Sequence, residues 1–76
     1  MPATVILDPV AGPIVVARLS EWRAAGRFLH AGPRASDPDP ALRLVGHRDV
    51  AEAERLAALV NARAAAVARA AWRSHR

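Results

Sequence analysis

Hydrophobic and polar positions divide the chain into a strand-rich first part and a helical last part. Apolar, β-branched runs occur at residues 4–7 ("TVIL") and 14–19 ("IVVARL"), separated by Asp-Pro and Gly-Pro pairs that are typical of turns. These runs predict a β-hairpin with a loop of about five or six residues. Alternation in "LRLVG", from Leu42 to Gly46, predicts a further short strand.

Residues 20–31 are compatible with two different structures. As a helix, they would use Ser20 as the N-cap and Gly32-Pro33 as the stop signal. As a hairpin, "RAAGR" would form a three-residue loop with Gly26 in the left-handed conformation. Because glycine inside a helix costs about 1 kcal/mol relative to alanine, the hairpin is favoured.

The last third of the chain predicts one long helix. Asp49 followed by Glu52 resembles a capping box, and no helix breaker occurs from Val50 to about Ser74. At about 100° per residue, small and aliphatic side chains form one narrow stripe on this helix. The stripe contains Ala53, Leu56, Ala57, Val60, Ala64, Val67 and Ala71.

The predicted elements give an α+β fold, with a small antiparallel sheet of three to four strands packed on one long C-terminal helix. We expect a single domain over residues 1–76, with a strand-rich part over 1–46 and the long helix over about 50–74. Of the 76 residues, 53% are hydrophobic, but 19 are alanine, so the core is small. A homodimer that shares apolar surface is therefore one of the expected states.

Composition narrows the functional classes. Cysteine is absent, which excludes disulfides and thiolate chemistry. No apolar run approaches the roughly 20 residues that a membrane helix requires. The first residues lack the pattern of a signal peptide, so we expect a cytoplasmic protein without membrane contact.

The positive charge has two candidate locations. All 11 cationic residues are arginine and the net charge is +4, although the Ala and Arg content is also typical of a GC-rich genome. On the predicted helix, Arg55, Arg69, Arg73 and Arg76 lie within about 60° of one another, with Trp72 beside them. This arginine side could hold phosphates, contact a protein partner or remain solvated.

Trp22 with Arg23 and Arg27 forms the second basic and aromatic cluster. The alternative interpretation is that Trp22 and Phe28 complete the small core. The residues expected to bind a partner are therefore Arg55, Arg69, Trp72 and Arg73, with Trp22 and Arg27 as secondary candidates.

The sequence contains no recognisable motif for catalysis or for metal binding. His30, His47 and His75 have no ligand-like spacing to one another or to Asp and Glu, so we expect no metal site and no cofactor. There is no Gly-rich phosphate loop after a strand and no Tyr or Cys. We expect that the protein is not an enzyme.

The closing helix resembles that of short phage and prophage accessory proteins. The resemblance lies in "DVAEAERLAALVNARAAAV", in the pair Ala53-Glu54 and the step Val60-Asn61-Ala62. It implies a class rather than a residue-level site, namely non-enzymatic proteins that bind a host or phage complex. Inhibitors of bacterial defence systems, anti-CRISPR proteins among them, are typical of this class.

Three functional hypotheses follow from these patterns. The first is a small binding protein that blocks or adapts a larger protein or nucleoprotein complex. The second is a small basic DNA-binding regulator, and the third is a structural module that only dimerises.

Overall fold

A computed structural model describes residues 2–29 and 36–74 of the chain. It contains β1 (Thr4–Asp8), β2 (Gly12–Arg18), α1 (Leu19–Ala24), β3 (Ala41–Leu44) and α2 (Val50–Ser74). The three strands form an antiparallel sheet in the order β1-β2-β3. The α+β architecture and the long C-terminal helix are therefore as predicted.

The hairpin between β1 and β2 is tighter than predicted. Its loop has three residues, because the pairing of the two strands continues to Asp8 and Gly12. One carboxylate oxygen of Asp8 accepts hydrogen bonds from the backbone N–H groups of Val10 and Ala11, both at 2.8 Å. Gly12 has a φ of 77°, which closes the turn in a conformation that other residues rarely adopt. The third strand begins one residue earlier and ends two residues earlier than predicted, because β3 covers Ala41–Leu44 and the predicted strand covered residues 42–46.

The favoured hairpin at residues 20–31 is wrong, because this part of the chain begins with helix α1. Gly26 does adopt a left-handed conformation (φ 78°), but it ends the helix instead of turning a hairpin. The N–H of Arg27 donates to the Trp22 carbonyl at 2.8 Å, and the N–H of Gly26 donates to the Arg23 carbonyl at 2.9 Å. These two bonds form a Schellman motif. The predicted stop at residues 32–33 lies outside the described residues.

The N-terminus of α1 is held by a segment distant in sequence. The N–H of Leu19 donates to the Pro40 carbonyl at 2.9 Å. Asp39 accepts hydrogen bonds from both the N–H and the hydroxyl of Ser20, each at 2.8 Å. Ser20 is therefore inside the helix and is not its N-cap, which is Arg18. The "DPDP" loop stabilises α1 by occupying its free N–H groups.

Helix α2 begins where the sequence predicts. Asp49 accepts a hydrogen bond from the Glu52 N–H at 2.8 Å, which is the expected N-cap interaction. The Glu52 carboxylate reaches one residue further back than in a standard capping box and accepts from the Arg48 N–H at 2.9 Å. The 25 residues of α2 span roughly 37 Å.

The core lies between one face of the sheet and the two helices. The three largest fully buried side chains are Trp22, Val15 and Val60. Trp22 also donates its indole N–H to the Leu42 carbonyl at 3.2 Å, which satisfies its one polar atom. Phe28 is 76% exposed, so the expectation that both aromatic residues complete the core is correct only for Trp22.

Asn61 marks the position on α2 where core packing gives way to exposed helix. Its side-chain amide accepts from the Ala3 N–H at 2.7 Å and donates to the Ala3 carbonyl at 3.1 Å. This pair of hydrogen bonds ties α2 to the backbone immediately before β1. The buried residues of α2, which are Ala53, Ala57 and Val60, all precede Asn61 in the helix.

Candidate interaction surface

The end of α2 presents an exposed helical surface, which we call the distal segment (residues 65–74). Each of its ten residues is exposed to solvent. The predicted apolar stripe nevertheless continues into it, with Val67 at 53% exposure and Ala71 four residues later. Ala53, Ala57 and Val60 of the predicted stripe are therefore buried, whereas its last two members, Val67 and Ala71, are exposed.

The charged residues of the distal segment are all basic. Arg69 and Arg73 lie one helical turn apart, and no acidic residue follows Glu54 in the chain. Trp72 lies between them in sequence and is 65% exposed. These cations near the C-terminal end of α2 are favourably placed for the helix dipole, which accounts for part of their position but not for the tryptophan.

A second basic surface lies nearer the start of α2, at a groove between β3 and the first turns of this helix. The groove has a volume of about 400 Å³. Arg27 and Arg55, which are 28 residues apart in the sequence, both line it. Its floor contains Leu44 from β3 and Leu56 and Leu59 from α2. We call this feature the β3–α2 groove.

The one acidic side chain that lines the β3–α2 groove is already engaged. The Glu52 carboxylate accepts the Arg48 N–H, and the Arg48 Nε lies 3.8 Å from the same oxygen. Within residues 2–29 and 36–74, no ion pair involves the side chain of Arg27 or Arg55. The groove therefore carries net positive charge over an aliphatic floor.

His47 is positioned at the β3–α2 groove by a backbone contact. Its Nε2 lies 3.0 Å from the Leu44 carbonyl oxygen. Because a carbonyl can only accept, Nε2 carries the proton in this hydrogen bond. This contact lies at the start of the loop between β3 and α2, and the ring is half-buried beside the groove.

The structure separates the six residues that the sequence analysis selected. Arg69, Trp72 and Arg73 lie together on the distal segment, and Arg27 and Arg55 share the β3–α2 groove. Trp22 is fully buried, so it cannot contact a partner in the folded protein, and this correction follows from its place between the sheet and the helices. Arg76, His30 and His75 lie outside the described residues.

Sequence reasoning missed the leucine floor of the β3–α2 groove and a second groove beside Val67. The second groove has a volume of about 660 Å³ and is lined by residues of α1, the 38–39 loop and Val67. Its walls come from three separate segments of the chain, so no local pattern could show that they meet. One signal in the sequence could have indicated this groove. The apolar stripe of α2 continues to Val67 and Ala71, which is further than a sheet of short strands can cover.

In the described ranges, no group of three or more His, Asp or Glu side chains is arranged to hold a metal ion. Neither described helix is long and apolar enough to cross a bilayer. The chain matches no protein-family model, no curated protein and no solved structure.

Proposed function

We propose that the protein is a non-enzymatic binding protein that blocks or adapts a larger protein or nucleoprotein complex through the distal segment of α2. One observation carries this proposal. The last ten residues of α2 are exposed, yet they keep an apolar stripe, a large aromatic side chain and only basic charges.

The chemistry of the distal segment suggests how it would bind. Tryptophan and arginine are enriched among the residues that dominate binding energy at protein interfaces. Arginine beyond the last acidic residue favours an acidic partner surface and increases the rate of encounter with it. Alanine has the highest helix propensity, and the alanines of this segment keep it helical before a partner is bound, which lowers the entropic cost of association.

The resemblance of α2 to phage and prophage accessory proteins supports a narrower version of the same proposal. In it, the protein acts in the cytoplasm as a phage-type inhibitor of a host defence system, as anti-CRISPR proteins do. Its action would be stoichiometric, because one small surface binds one site on the target complex. In this version, the resemblance suggests the class of target, and the distal segment would be the surface that binds it.

Affinity capture with tagged protein tests the proposal. Trp72→Ala and Arg69→Glu should each abolish capture of the target complex and leave the far-ultraviolet circular dichroism unchanged, because both side chains lie outside the core. Phe28→Ala is the matched control, since Phe28 is an exposed aromatic residue that does not belong to the distal segment. Equal capture by the wild type and both distal variants would contradict the proposal.

Two further measurements separate this proposal from its alternatives. A DNA-binding regulator would bind labelled DNA in a fluorescence anisotropy titration, and its affinity would fall steeply with salt because phosphate contacts release counterions. A structural module that only dimerises would show a mass that rises with protein concentration and no captured complex.

A further inference from the structure

We propose that the β3–α2 groove is a second contact site, which binds an acidic segment of a protein partner that also carries aliphatic side chains. This inference rests on the proposed function in one respect, that the partner is a protein. It adds a site separate from the distal segment and names the chemistry of the segment that the site would accept.

The groove has the form of a binding site for a short peptide segment. Its floor is aliphatic and comes from two elements, with Leu44 on β3 and Leu56 and Leu59 on α2. Leu59 and the neighbouring Val45 are 45% and 55% exposed, so the floor has apolar surface that a ligand can cover. The volume of about 400 Å³ lies within the range of roughly 300–1,000 Å³ that is usual for ligand pockets.

The charges at the groove favour an anionic ligand. Arg27 and Arg55 are like charges that line the same concavity, and no described acidic residue pairs with either of them. One carboxylate oxygen of Glu52 accepts from the Arg48 N–H, and the two arginines outnumber this single acidic residue of the lining. A carboxylate from a ligand would offset this charge, and the planar guanidinium groups can bind it through two parallel hydrogen bonds.

The polar groups beside the floor also suit an extended peptide. His47 donates through Nε2 to the Leu44 carbonyl, which leaves Nδ1 as the ring nitrogen for an incoming N–H group. Gly46, with a φ of 87°, lines the same groove and has no side chain to fill it. An added Cβ at Gly46 would meet no atom within 4 Å, so the space beside it is open.

An acidic protein segment fits this site better than a nucleic acid. Non-specific binding of single strands depends on aromatic side chains on which bases stack. Among the nine residues that line the groove, His47 is the one aromatic side chain, and its Nε2 is held by the Leu44 carbonyl at 3.0 Å. Aliphatic side chains instead match the side chains of leucine, isoleucine or valine in a peptide, and burial of their apolar surface is favourable.

An NMR titration of the full-length, isotope-labelled protein tests the inference without the natural partner. The probe is a capped peptide that alternates glutamate with leucine, and the matched control peptide has glutamine in place of each glutamate. We expect the acidic peptide to shift the backbone amide signals of Gly46, His47, Arg55 and Leu56. The glutamine peptide should bind at least about tenfold more weakly, which corresponds to the loss of one charge-assisted hydrogen bond.

Single substitutions locate the contact on the protein. Arg27→Gln and Arg55→Gln should each weaken binding of the acidic peptide at least about tenfold, because each removes a charge-assisted hydrogen bond. Arg63→Gln is the matched control, because Arg63 is an exposed arginine of α2 that does not line the groove, and it should leave the affinity unchanged. Native signal dispersion in each variant shows that the fold is retained.

Three results would overturn the inference. They are no signal shifts at the groove, equal binding of both peptides, or stronger groove shifts from an oligothymidine strand than from the acidic peptide. These results differ from a failure of the proposed function, which depends on Trp72 and Arg69 and is measured by capture of a natural complex. Groove binding without capture would leave the present inference standing for the isolated protein.

Discussion

Replacing Trp22 by phenylalanine should destabilise the protein by about 2–3 kcal/mol. The change removes the hydrogen bond from the indole N–H to the Leu42 carbonyl (3.2 Å), worth about 1 kcal/mol. It also removes two carbon atoms from a side chain that is fully buried, at roughly 0.8 kcal/mol each. The total is a large part of the roughly 4–11 kcal/mol expected for a chain of 76 residues.

Urea unfolding followed by far-ultraviolet circular dichroism measures this cost. Phe28→Ala is the matched control, because Phe28 is 76% exposed and its truncation should change the free energy of unfolding by less than about 0.5 kcal/mol. Since the chain has two tryptophans, a Trp72→Phe background makes Trp22 the only tryptophan, and its emission should shift to longer wavelength on unfolding. A Trp22→Phe variant as stable as Phe28→Ala, or red-shifted Trp22 emission in the native state, would refute the buried position.

Two further predictions concern the carboxylates that hold the helix ends. Asp49→Ala should destabilise the protein by about 1 kcal/mol, because the Glu52 N–H loses its acceptor. A melting temperature within error of the wild type, measured by thermal unfolding, would contradict this prediction. Hydrogen bonds from the N–H and hydroxyl of Ser20 lower the pKa of Asp39 in the folded protein. The resulting stabilisation is fully present above the ordinary aspartate pKa of about 3.9, and it is lost as the pH falls through the lower folded-state pKa. Asp39→Asn should therefore be less stable than the wild type at neutral pH and lose less stability on acidification; a parallel pH profile for both proteins, measured by thermal unfolding, would show that the pair does not contribute.

The pH profile has a second contributor that must be held constant. Hydrogen bonds from the N–H groups of Ala11 and Val10 lower the pKa of Asp8 in the β1–β2 turn. Its contribution has the same sign as that of Asp39 and is also lost on acidification. The Asp39→Asn variant retains Asp8, so the difference between the two profiles reports Asp39 alone.

Local sequence determined the elements whose signals are contained within a few residues of one another. Asp49 and Glu52, three residues apart, specify the start of α2, and the run without Gly or Pro carries it to Ser74. The β-branched runs specify β1 and β2 in the same way. These signals depend on backbone geometry and on hydrogen bonds between near neighbours, so they can be read without knowledge of the fold.

Tertiary structure decided the features that depend on distant residues. Gly26 could end a helix or close a hairpin, since both need a left-handed residue, and the choice followed from Asp39 and Pro40 binding the start of α1. The two tryptophans have similar local surroundings rich in Ala and Arg, but Trp22 is fully buried in the core and Trp72 is 65% exposed. Arg27 and Arg55 line one groove only because β3 and α2 are packed together. Burial and the meeting of such segments depend on which surfaces the folded chain brings into contact, and that information is not contained in any short stretch of sequence.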